Sequence, residues 1–152
     1  MLKKEFATTL KVLRAYPEGK ETFKPGETSR SAMDIAKTFV FEIYLLEGHL
    51  FGDEIDRSKF KTYNPESMAV IIDDFEKQGS KILARLEELP EEDMVSKTAE
   101  FAGSKFPVDE FTLMMLHDQI HHRGQMTIYV RLAGGKIPSV YGPSADDPTT
   151  NL

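Results

Sequence analysis

Four stretches in which apolar residues return every three or four positions, each closed by glycine, proline or charge, constrain this 152-residue chain more than any other feature. In the first, Leu2, Phe6, Leu10 and Leu13 keep that spacing until Tyr16-Pro17-Glu18-Gly19 breaks it. The second begins at Ser31, whose hydroxyl can cap a helix with Asp34 three residues on, and runs to about Phe51 before Gly52-Asp53. Asn64-Pro65-Glu66 announces the third, with proline at its first helical position and a stripe of Met68, Ile71, Ile72, Phe75, Ile82 and Leu86 ahead of Pro90. A fourth opens at Pro107-Val108-Asp109-Glu110 and reaches Leu132 before Gly134-Gly135. The chain therefore reads as all-α. Between the third and fourth stretches, Glu91 to Phe106 predicts a hairpin-like excursion or irregular loop, and the tail from Ile137 to Pro143 is expected to pack across the helices.

This length suits a single domain over 1–152, large enough to bury a core without staples. The chain has no cysteine, which removes disulfides, thiolate zinc sites and a cysteine nucleophile, so any metal must be held by His, Asp or Glu. A net charge of -6 argues against a nucleic-acid partner, since phosphate backbones are held mainly by clustered Lys and Arg. No apolar segment follows the charged start Met1-Leu2-Lys3-Lys4-Glu5, and nowhere do about 18 uncharged apolar residues run together. The expectation is a cytoplasmic protein without a membrane partner.

Of four histidines, His49, His117, His121 and His122, three fall within six residues of the fourth helix. Residues four apart share a helix face, so two pairs qualify as joint ligands. Asp118 and His122 lie in line with Phe111, Met115, Gln125 and Tyr129; His117 and His121 lie in line with Met114, Ile128 and Leu132. Both lines carry core-like residues, and periodicity does not choose between them.

On the second helix, Ile35, Phe39 and Leu46 mark a core-facing stripe into which Glu42 and His49 intrude. A carboxylate at such a position must be paired, protonated or coordinated. Arg123 or Arg131 could pair with it; alternatively a cation shared by Glu42, Asp118 and His122 would satisfy all three, as in helical proteins that build metal sites from facing helices. His49 lies two turns beyond Glu42, too far to join the same inner sphere, and near the helix C-terminus it fits a dipole or capping role. Leu113, Leu116, Ile120 and Val130 form an outer stripe suited to a homodimer interface.

The run His121-His122-Arg123-Gly124-Gln125, then Tyr129-Val130-Arg131, Gly134, Pro138 and Tyr141-Gly142-Pro143, resembles the DinB-like family, as does Ser29-Arg30-Ser31-Ala32 with Ile35-Ala36 at the start of the second helix. That resemblance implies a four-helix bundle with a long crossover, frequent homodimerisation and a metal held by three histidines, two of them four apart on the last helix. Carried onto this chain, His122 is the second of that pair. Asp118 stands where the first is usually His, and the helix-two position, nearest Thr38, Glu42 or Ile43, holds no histidine. The implied set is thus Glu42, Asp118 and His122, with His49 and His121 as lesser candidates, harder in character and suited to Mn, Fe, Ni or Zn. Some similar proteins are metal-dependent transferases that activate a low-molecular-weight thiol. The corresponding expectation is a metal-dependent transferase or hydrolase acting on a small molecule, or else a non-catalytic homodimeric protein with a degenerate site.

Overall fold

The computed structural model describes residues 1–53 and 55–148. Ser31 caps the second long helix as its sequence predicts: its Oγ accepts the Asp34 backbone N–H at 3.1 Å and donates to the Asp34 carboxylate at 2.6 Å. In chain order the elements are α1 (Leu2–Arg14), α2 (Ala32–Phe51), α3 (Ser58–Thr62), α4 (Met68–Glu87), α5 (Glu91–Ser96), β1 (Thr98–Phe101), β2 (Ser104–Pro107) and α6 (Val108–Leu132). Gly52 stops α2 by taking φ +70°, a left-handed conformation that costs a residue without Cβ little.

The four long helices are those the periodicity predicts. Both α1 and α2 pack against α4 and α6, which puts α1 and α2 on one diagonal and α4 and α6 on the other. Segment 15–31 spans that diagonal. At the centre, the Phe75 ring takes Phe6 edge-on at 5.8 Å and Phe39 at 6.2 Å, joining α4 to both α1 and α2. Each such ring contributes about 1.5–3 kcal/mol by leaving water.

The all-α expectation needs correction. Residues 98–107 form an antiparallel hairpin with Phe101 opposite Ser104, turned through Ala102 and Gly103, both at positive φ. Only Ala99 of β1 is buried, so the strands present almost no apolar alternation by which a sequence could announce them. The short helices α3 and α5 were likewise not predicted; α3 buries no residue and so carries no stripe. The third long helix starts later than Asn64-Pro65 suggests, because Ser67 supplies the cap by accepting the Val70 N–H.

The proposed outer stripe on α6 is also corrected. Leu116 and Val130 are buried in the core, leaving Leu113 exposed and Ile120 half-buried. The tail does return to the helices: Tyr141 donates to the Glu5 carboxylate at 2.7 Å. Among the described residues, no helix is long and apolar enough to cross a membrane.

Candidate metal centre

Glu42 lies in the middle of α2, buried to 2% exposure between Phe39, Ile43 and Leu46 along the chain. Across from it, one turn of α6 brings Asp118 and His122 onto a common face. One ligand atom from each of the three residues lies within 4.8 Å of the others, a grouping that could hold a metal ion. His122 Nε2 is 3.7 Å from Glu42 Oε1 and 3.6 Å from Asp118 Oδ1. Two donors about 2.1 Å from one ion, at tetrahedral or octahedral angles, sit roughly 3.0–3.4 Å apart, so His122 needs to approach each carboxylate only by tenths of an ångström.

Gln125 settles which face of the His122 ring is basic. An amide oxygen can only accept, so the contact of 3.1 Å between Gln125 Oε1 and His122 Nδ1 places the ring proton on Nδ1. Nε2 then faces two carboxylates. The other end of the same amide donates to His121 Nε2 at 2.9 Å. Two carboxylates thus converge on one ring nitrogen, and both Glu42 oxygens are buried without a hydrogen-bond partner.

Such an arrangement requires a proton or a cation. Burial, followed by the neighbouring Asp118 carboxylate, pushes the Glu42 pKa up to about 9, while Arg30 and Gln119 pull more weakly the other way. The Asp118 carboxyl is near enough to compete for that proton, although no hydrogen bond of normal geometry joins the two. A divalent ion would relieve the same conflict, and the outer contact from Gln125 is of the kind that orients a metal-ligating imidazole. The residues present therefore fit such an ion.

The other candidates stand apart. His49 packs its ring against Phe111 at 4.4 Å and Phe101 at 6.5 Å. Burial and the Arg57 charge lower its pKa, and its Nε2 is buried without a partner, so it is neither a helix cap nor a member of the cluster. His121 is exposed and engages Gln125, and His117 is exposed one turn before it. Neither arginine proposed for Glu42 reaches it. Arg123 pairs with Glu5 and Arg131 with Asp146, each at 2.7 Å.

Two clefts flank the triad. One, about 430 Å³, is lined by His122, Gln125, Tyr129, Ser29 and Arg30. A second, about 460 Å³, is lined by Asp118 and His121 with Met114, Met115 and Phe101. Either is large enough for a small molecule. Sequence reading missed Gln125 as a partner of both histidines, although its place three residues after His122 and four after His121 is the spacing such contacts need.

Comparison with known proteins shows which fold and family the chain shares. The structure is similar to a crystal structure of a DinB-like protein from Bacillus cereus ATCC 10987, at 23% identity and TM-score 0.79, over 91% of this chain and 92% of that one. It is also similar to the DinB-like protein YjoA from Bacillus subtilis, at 21% identity and TM-score 0.68, over 86% and 87% of the two chains. Among curated proteins, the uncharacterized protein YrdA of Bacillus subtilis strain 168 is 28% identical over 83 residues, 55% of this chain. That match spans about half of YrdA, 50% of its length. The model of the DinB family matches residues 2–152, and the chain belongs to that family.

Proposed function

We propose that Glu42, Asp118 and His122 bind one divalent cation, and that the chain is a metal-dependent transferase or hydrolase acting on a small molecule. One observation carries this reading: a buried carboxylate with both oxygens unpartnered faces Nε2 of His122 and a second carboxylate. Two carboxylates and one imidazole suit Zn, Ni, Mn or Fe. When bound, such an ion supplies Lewis-acid activation of a nucleophile, either water or a low-molecular-weight thiol, since the chain has no cysteine of its own.

The protein's own contribution is positioning. Gln125 holds the His122 ring with Nε2 inward, Glu42 brings negative charge to a spot that water does not reach, and Asp118 completes the set from the more open side. The two clefts give a substrate access from either side of the triad. We take the four long helices as one four-helix bundle, a description supported by the packing of α1 and α2 on both α4 and α6.

Metal analysis of protein purified without an affinity tag tests the site. The expected result is one equivalent of bound ion, lost in His122→Ala. Absence of any ion, with no change in melting temperature on adding Mn, Ni or Zn, would refute it, as would wild-type metal content in the variant.

A further inference from the structure

We infer that the cleft on the His122 side is an oxyanion subsite in which Arg30, beside Ser29 and Gln125, takes the carboxylate or phosphate of an acidic small molecule whose reacting end lies at the metal centre. The inference deepens the metal-site reading, on which it rests for the place of the reacting group.

Charge pairing singles Arg30 out. Arg14, Arg85, Arg123 and Arg131 are each in ion pairs with carboxylates of the protein. Arg57 stacks over the Phe101 ring. Arg30 lies within ion-pair distance of no carboxylate among the described residues, although its charge helps to lower the Asp34 pKa, and it is not loose. Its Nη2 donates to the Asp34 carbonyl and, at 2.8 Å, to Thr38 Oγ1. Its own carbonyl accepts the Tyr129 hydroxyl at 2.9 Å, tying the backbone before α2 to α6. Among the described residues, Nη1 and Nε donate to no protein partner, and a guanidinium held with donors to spare is suited to oxyanions.

The surroundings agree in sign. No Asp or Glu lines this cleft, whereas the chain as a whole carries -6. An anion approaching the protein is repelled in general and attracted here. His122 lines the same cleft as Arg30, which places the guanidinium beside the candidate metal centre. Ile35, Ile128 and Pro25 supply an apolar wall for the body of such a ligand.

Titration of the full chain with propionate, inorganic phosphate and propan-1-ol, followed by amide NMR shifts of Ser29, Arg30 and Gln125, tests the subsite without needing metal. The expected result is saturable shifts with either anion and none with the alcohol. Binding should weaken at least fivefold in Arg30→Gln and persist in Asp118→Ala, a residue outside this cleft. Tighter phosphate binding identifies a phosphate-bearing ligand and tighter propionate a carboxylate-bearing one, and both support the inference. Wild-type anion affinity in Arg30→Gln overturns it, as does the absence of any saturable shift. Repeating the titration with added Ni separates the two readings. Anion binding that needs Ni, is lost in Asp118→Ala and survives in Arg30→Gln puts the anion on the ion and refutes the subsite alone. Failure of the wild type to bind Ni refutes the metal reading, while the metal-free titration still decides the subsite.

Discussion

Arg123 and Glu5, 118 positions apart, form a buried ion pair of 2.7 Å next in sequence to His122 of the candidate metal site, so that adjacent residues of α6 serve two different polar clusters. His122 turns toward α2, whereas Arg123, about 100° further round the helix, turns toward α1. The guanidinium also donates to the Glu5 carbonyl, Thr9 Oγ1 and the Tyr141 hydroxyl, leaving it 1% exposed and well satisfied. Removing one partner of such a pair strands the other. Arg123→Met should therefore destabilise the protein by about 3–5 kcal/mol, read by urea unfolding.

Acid should act on the same pair. Burial alone would raise the Glu5 pKa, but hydrogen bonds from Tyr141 and Arg123, with the Arg123 charge, outweigh it and hold the carboxyl below its ordinary value of 4.5. Its contribution is then complete above the unfolded-state pKa and is lost as pH falls through the lower folded value. Unfolding measured from pH 6 down to 3 should show a decline in stability that Glu5→Gln makes shallower. An unchanged slope in that variant would refute the assignment.

Glu42 has the opposite sign. In the metal-free protein its pKa of about 9 exceeds the unfolded value of 4.5, so the folded state holds the proton more tightly between those limits. Stability contributed by the neutral carboxyl is complete below pH 4.5 and declines up to about pH 9, by at most roughly 1.4 kcal/mol per pH unit. Glu42→Gln should flatten that decline. A cation must displace the proton, so calorimetry at pH 7 in buffers of different ionisation enthalpy should show close to one proton released per ion bound, and none in the variant.

Gln125→Ala leaves all three ligands in place but frees the His122 ring. Metal affinity should fall about 10–100-fold in competition with a chromophoric chelator, with little change in the melting temperature of the metal-free protein. Equal affinity would mean that packing alone orients the ring.

Two glycines of α6 and its exit should respond oppositely to alanine. A Cβ at Gly135 would lie 2.7 Å from the Ala15 carbonyl oxygen and 2.9 Å from Val130 Cγ1, so the substitution should cost about 1–3 kcal/mol. At Gly124, inside the helix, a Cβ meets nothing within 4 Å, and alanine should stabilise by up to about 1 kcal/mol. Thermal unfolding of the two variants distinguishes them.

Much of this was legible from residue spacing, and the exceptions have physical causes. The long helices announce themselves because each has a wide buried face, and Ser31 with Asp34 marks the start of α2 plainly. The segment holding the hairpin reads only as a hairpin-like excursion or irregular loop, because one alanine is all that β1 buries. Ala102-Gly103 turns the chain where Asn-Gly would have been the stronger signal. At the candidate site, spacing leaves Asp118 with His122 and His117 with His121 as equal pairs, the intrusion of Glu42 into an apolar stripe marks the facing position, and only the family resemblance favours the first pair. The fate of Arg123 could not be foreseen, because its partners Glu5 and Tyr141 lie on α1 and in the tail, and no helical projection relates them to α6. His49 is similar: its neighbours Phe101 and Phe111 come from the hairpin and from α6.

The contact of Tyr141 with Glu5 and Arg123 also has a consequence for biosynthesis. Residue 5 leaves the ribosome early and then waits, its carboxylate still hydrated, until 136 further residues have been made. The seam between the first helix and the last can lock only after residue 141 has been made. Stalled nascent chains lacking residue 141 should expose that seam to proteases and chaperones, and release of the stalled chain after residue 141 should close it.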